Sequence, residues 1–193
     1  MSVLTLSADR PSILDALRGP RATTAAQVMG IVGFAALAAL GAQTRIYLWE
    51  VPLSFSTLAV YGAGLFLGGR NGALSMLLYL AAGLVFPVFS GDAYGPSYFL
   101  GATAGYLFSY PLVALLVGSL TDRWTSLIGS GLAMMVGAVL LYTMGVTWLA
   151  VAGPYDTLGE AVVRGALLFL PFGLVKMWLL AGAHAGLRRV SAN

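Results

Sequence analysis

Residues 53–89 read LSFSTLAVYGAGLFLGGRNGALSMLLYLAAGLVFPVF, and Arg70 is the only charged residue among them. Two apolar runs, 53–68 and 72–89, flank the short polar stretch GGRNG. A bilayer core takes about 20 apolar residues per helix, with a range of roughly 17–25, so the pair reads as two membrane helices joined by a tight turn. The pattern extends both ways, with further spans at 25–48, 98–120 and 127–150. The last apolar region, 160–187, is too long for one plain span and contains Pro171. Proline is favoured in the first helical turn, where its missing N–H costs nothing. The sixth span therefore starts near Pro171, which leaves 158–170 as a separate short helix on the outer surface.

Composition agrees with this reading. Of 193 residues 59% are hydrophobic and 9% charged, with a mean hydropathy of +0.88. A soluble domain of this length cannot bury that much apolar surface. The expected fold is an all-α integral membrane protein of six transmembrane helices in contact with membrane lipid. Twenty-five glycines suit that class, because small residues let helices approach closely in lipid. The net charge of +3 is spread along the chain, with no basic tract interleaved with aromatics, which argues against nucleic acid as a partner. The absence of cysteine excludes disulfide and thiolate chemistry. Residues 1–24 lack the compact apolar core of a signal peptide. They read as a cytoplasmic N-terminal tail, or as a tail with a short amphipathic turn at 11–17 on the membrane surface. Residues 25–187 are expected to form one six-helix transmembrane domain, and 188–193 a cytoplasmic C-terminal tail.

Positive charge sets the orientation. With the N-terminus inside, Arg10, Arg18, Arg21, Arg70, Arg123, Arg188 and Arg189 fall on the inner side, and Arg45 and Arg164 on the outer. Both termini are then cytoplasmic. The inner connections, GGRNG and TDRWT, are short, whereas TRIYLWEVP and GDAYGPSY on the outer side are longer and rich in aromatics and glycine. Binding surface belongs on the outer side.

Lys176, in FLPFGLVKMWLL (169–180), is the only lysine. It falls about five residues into the sixth helix, roughly 8 Å below the outer end. Either it snorkels to the interface, or it faces the bundle interior and awaits an anion, with Phe172, Met177 and Trp178 as an apolar wall. The second reading points to a small, anionic, partly apolar solute.

Other chemistry is missing. The single histidine, His184, reads as an interfacial residue near the inner end of the last helix. No HExxH, GxSxG or aspartate pair is present, so neither an enzyme nor a metal or cofactor site is expected. The acids sit in loops, at loop edges or in the tail, unlike those of proton- or sodium-driven carriers, and no phosphate-binding loop occurs. Energy for uphill transport would come from a partner. In GFAALAALGAQ, the small-residue steps Ala35–Ala39 and Ala38–Ala42 serve either a partner helix or internal packing.

The segment VPLSFSTLAVYGAGLFLGGRNGALSMLLYLAAGLVFPVFSG, followed by YFLGATAGYLFSYPLVALLVG, resembles the BioY family, the substrate-binding S components of energy-coupling factor (ECF) biotin transporters. The likeness runs from about Ala35 to Lys176. It implies a bundle in a bacterial cytoplasmic membrane that binds biotin from outside and docks on a coupling transmembrane protein carrying ATPase subunits; solitary or homo-oligomeric operation is also proposed for the family. It further implies that Lys176 pairs with the biotin carboxylate, that Ala35, Ala38, Ala39 and Ala42 face the coupling protein, and that the loop before Pro52 covers the occupied site. The ureido head would be met by Ser90, Asp92, Tyr98, Thr103 and Tyr106, although both tyrosines also fit an interfacial belt and Asp92 a solvated loop. The chain departs from the family pattern at Gly173, where an aspartate is usual, leaving Asp92 or Asp156 as substitutes, and at Ser56, where a glutamine is usual. An S component for another small anionic vitamin, or a non-transport protein that assembles helices, are the alternative readings.

Overall fold

The computed structural model describes residues 17–18, 22–47 and 51–192. Arg10, Arg21, Glu50 and most of the expected surface turn at 11–17 lie outside the described residues. The elements are α1 (Thr24–Gln43), β1 (Arg45–Tyr47), β2 (Pro52–Ser54), α2 (Ser56–Ala82), a 3-10 turn (Pro96–Leu100), α3 (Ala104–Thr121), α4 (Leu127–Ala152), α5 (Leu158–Val162), a π-helical turn (Val163–Leu167) and α6 (Leu170–Ala192). Five helical stretches among the described residues are long and apolar enough to cross a membrane.

The all-helical expectation needs one correction. The expected first span of 25–48 stops at Gln43, and the chain turns into a short antiparallel hairpin with Arg45 opposite Ser54, Ile46 opposite Leu53 and Tyr47 opposite Pro52. A β-branched residue and an aromatic favour the strand, and Pro52 takes the first residue of its strand, the place a missing N–H is tolerated.

The long helix α2 hides the turn that opened the sequence analysis. Gly68 has φ +81°, a left-handed value that interrupts the helix and suits glycine. The chain then folds back on itself. A Cβ on Gly72 would lie 2.9 Å from the backbone of Ala63, nine residues earlier, a separation of about 13 Å along an unbroken helix. Residues 56–67 and 69–82 are thus two antiparallel arms. The predicted turn over GGRNG is present, with its pivot at the first glycine.

Glycines allow the close crossings. Gly64 and Gly69 of α2 approach backbone atoms of α3 near Ala114 and Leu115, and Gly118 of α3 presses on Gly68 and Gly69. Around this seam α1 and α3 pack on α2, α4 packs on α3, and α6 closes against α4 and α2. The stripe Ala35, Ala38 and Ala42 is buried, with Ala39 half-buried, so these residues serve the protein's own core. Of the two readings of this stripe, the burial agrees with internal packing: small side chains let α1 settle on the α2 arms, where Gly41 meets the backbone of Phe55 and Ser56. The outer face of α1 instead carries Val28, Met29, Val32, Leu37 and Leu40.

One end of the bundle is held by Arg18. Its guanidinium donates to Leu65 O (2.9 Å), Gly118 O (3.0 Å) and Thr121 Oγ1 (3.2 Å) and pairs with Asp122. The Gly68 turn, the α3–α4 connection and the start of α1 therefore gather at this end, as the charge pattern requires. His184 lies here too, and not at an interface: it is fully buried, 3.2 Å from Ser130 Oγ and edge-on to Phe66. The short outer helix expected at 158–170 is α5, but it is not separate. A π-helical turn, with Leu168 N donating to Val163 O, joins it to α6, in whose first turn Pro171 sits.

A methyl group at Gly118 would collide with the backbone of Gly68 and Gly69, whereas one at Gly182 meets open space. Overpacking costs about 1–3 kcal/mol, so Gly118→Ala is expected to lower the melting midpoint in detergent and Gly182→Ala to leave it unchanged. Equal midpoints would show that the glycine seam is not tightly packed.

Candidate functional site

Opposite the Arg18 end, the hairpin, the 90–103 segment and the 158–173 stretch frame a cleft of about 770 Å³, its open mouth included. Each wall follows from local structure. The turn into α2 brings Ser54, Ser56 and Thr57 to the rim, and the two α2 arms contribute Tyr61 and Tyr79. Helix α3 adds Tyr106, Leu107 and Tyr110, helix α4 adds Leu141 and Tyr142, and the π-helical turn adds Gly165. Phe89 is fully buried, stacked on Tyr98 and edge-on to Tyr79 and Phe99, and so anchors the aromatic wall from behind.

Lys176 lines this cleft and is 8% exposed. It does not snorkel. Its ammonium donates to Ser54 O at 2.6 Å, reaches Thr57 Oγ1 at 3.5 Å and lies 5.1 Å from the centre of the Phe55 ring. An ammonium has three donors, and a cation withdrawn from water needs an opposite charge or full hydrogen bonding. Here one short bond, one long one and a ring face are supplied, and among the described residues that line the cleft there is no aspartate or glutamate. The cleft thus carries one positive charge among neutral hydroxyls, a composition that attracts a monoanion with a polar but uncharged body.

Of the other residues predicted for the site, Ser90, Tyr98, Thr103 and Tyr106 also line the cleft. The Tyr106 hydroxyl already donates to Gly165 O at 2.8 Å, which ties the π-helical turn to α3 and leaves its oxygen as an acceptor. Asp92 does not line the cleft; it is exposed, with left-handed backbone at φ 55°. Asp156 is also exposed. Of the expected apolar wall only Met177 turns inward, while Phe172 and Trp178 are on the outer face of α6 at 52% and 45% exposed. Gly173 does line the cleft.

Sequence reasoning missed Tyr61, Tyr79, Tyr110 and Tyr142. A signal was present, since each is a phenol inside an apolar span, and a phenol at that depth needs a partner or a cavity.

The sequence pattern of the BioY family matches residues 15–193. A probable biotin transporter BioY of Lysinibacillus sphaericus is 41% identical over 125 residues, and the match spans 63% of this chain and 63% of that protein, less than two thirds of its length. A probable biotin transporter BioY of Pyrococcus horikoshii is 32% identical over 157 residues, covering 79% of this chain and 90% of that protein. The solved S-component for biotin from an ECF-type ABC transporter superposes with a TM-score of 0.76 at 23% identity, over 86% of this chain and 94% of that one, and so shares the fold.

Two opposing costs decide how the ligand-free protein responds to loss of the cation. Leaving Ser54 O unpaired costs about 1–3 kcal/mol, whereas the withdrawn charge itself carries a penalty of several kcal/mol. Lys176→Met is therefore expected to melt at or above the wild-type midpoint without ligand. A clear fall would show that the Lys176–Ser54 bond holds the hairpin.

Proposed function

The chain belongs to the BioY family, and from that premise we propose that it takes up biotin across a bacterial cytoplasmic membrane as a substrate-binding S component. It binds the vitamin from outside and delivers it inward, with energy from an ATPase-bearing coupling partner. The observation that carries the reading is Lys176, the one charged group among the described residues of a cleft otherwise lined by tyrosines, small hydroxyl residues and apolar side chains. Biotin matches that chemistry part by part. Its carboxylate pairs with the ammonium, its aliphatic stem and sulfur-containing ring lie against the aromatic wall, and its neutral ureido group exchanges hydrogen bonds with hydroxyls such as Ser90, Tyr98, Thr103 and Tyr106. No acid is needed, because a urea is uncharged. The relatives named for an activity are transporters, and the chain is not an enzyme.

For the membrane arrangement we propose six crossings, counting the two α2 arms separately, with both termini cytoplasmic and residues 25–187 as the binding domain. The reading rests on Arg18, Arg70 and Arg123 lying at the end away from the cleft. Gly173 favours one second reading, an S component for another small anionic vitamin, since it leaves part of the cleft wall without a side chain.

Titration calorimetry of detergent-purified protein with biotin is expected to show tight binding that weakens about 100-fold or more in Lys176→Ala, about 2.7 kcal/mol. Equal binding by both proteins would remove the lysine from the site, and displacement of biotin by an unrelated anionic vitamin would favour the second reading. Orientation has its own check, because the chain contains no cysteine. In whole cells a membrane-impermeant maleimide should label Asp156→Cys directly and Thr125→Cys only after permeabilisation. The opposite pattern would reverse the orientation.

A further inference from the structure

Gly173 and Lys176 stand three residues apart on α6, so they share a helix face about 4.5 Å apart along the axis, and both line the cleft. A Cβ built on Gly173 meets a single atom within 4 Å, the hydroxyl oxygen of Tyr142 at 3.3 Å. Any side chain at 173 would therefore sit between that hydroxyl and the cleft. Tyr142 comes from the neighbouring helix α4, is half-buried and lines the cleft, and its hydroxyl makes no hydrogen bond to a described residue. Of the tyrosines around it, Tyr106 donates to Gly165 O and Tyr79 to Val88 O, whereas Tyr61 resembles Tyr142 in making no such bond but is almost fully buried, at 2% exposed. Tyr142 is thus the half-buried, uncommitted phenol that meets Gly173, one helical turn from the only cation among the described lining residues.

We propose that Tyr142 is a second anchor for the ligand's carboxylate, and that Gly173 is the specificity-determining position that keeps its hydroxyl reachable. The inference deepens the reading of Lys176 as the anion's partner and rests on it. The ammonium supplies charge without fixed direction, as a compact point charge on a flexible stem. The phenol sits on a ring held in the bundle and supplies a directed O–H donor. Together they would fix which way the carboxylate turns. A neutral carboxamide at the same place keeps an acceptor oxygen but loses the charge that strengthens both bonds, since charge-assisted hydrogen bonds are roughly twice as strong as neutral ones. The pair therefore selects a free acid over its amide.

The test is titration calorimetry with biotin and with its neutral carboxamide analogue on wild type, Tyr142→Phe, Gly173→Val and Lys176→Ala. Wild type should prefer the acid. Tyr142→Phe should reduce that preference by about 10-fold, equivalent to about 1.4 kcal/mol, with its melting midpoint unchanged. Gly173→Val should act in the same direction, and if it fails to fold Tyr142→Phe carries the test alone. If Tyr142→Phe keeps the wild-type ratio of acid to amide while Lys176→Ala loses it, the proposal is overturned and the lysine assignment stands. If wild type binds neither compound, or does not distinguish them, both fall.

Discussion

A single ammonium withdrawn from water, with no acid beside it among the described residues, is the constraint around which the cleft end of the molecule is arranged. Lys176 reaches Ser54 O at 2.6 Å, and that carbonyl belongs to the strand leading into α2. The contact links α6 to the hairpin that borders the cleft, over 122 residues of sequence. A carboxylate arriving at the ammonium would compete for the same donors or share them, so ligand and hairpin address one group. On the proposed reading, hairpin position and ligand occupancy would be coupled through that one shared cation.

The opposite end follows a different rule. There the polar groups are satisfied by the protein itself: Arg18 spends its donors on two carbonyls, a hydroxyl and a carboxylate, and His184 is matched to Ser130 and Phe66. Glycine contacts between α2 and α3 bring backbones close along the same region. In lipid, where apolar burial does not drive helices together, such packing and hydrogen bonding are what association relies on. The molecule is therefore closely fastened at one end and open, with partly uncommitted polar groups, at the other.

How much of this was legible follows from which signals are local. The apolar runs, the GGRNG turn and the start of the last helix at Pro171 all depend on one segment at a time, and the structure has them, with Arg18, Arg70 and Arg123 gathered at one end. The inward or outward sense of a side chain depends on which neighbour a helix meets. Even so, α6 offered a key that was not used. Gly173, Met177, Ala181 and His184 advance by three or four residues and lie, with Lys176, on one face, while Phe172, Val175, Trp178 and Leu179 lie on the other. Once Lys176 is turned inward, His184 must be buried and Phe172 and Trp178 must face out. The alanine stripe of α1 carries the same lesson, because small residues report only that something comes close. The strand hairpin left a weaker trace, three residues in each strand, too short for alternation to show.

The site residues divide along the same line. Loop residues such as Ser90, Tyr98 and Thr103 could be placed from the aromatic and glycine-rich outer segments, whereas Tyr61, Tyr79, Tyr110 and Tyr142 sit within spans that read as plain membrane helix. Their hydroxyls are the better guide. A leucine bundle in lipid gains nothing from a phenol unless a partner waits for it, so four such residues at membrane depth on three different helices imply a common polar space. With one lysine on a fourth helix, they define a binding cleft from composition and depth alone. What they cannot encode is the missing side chain: the opening at Gly173 exists only because α4 happens to aim Tyr142 at that turn of α6, a relation between two helices that neither helix specifies by itself.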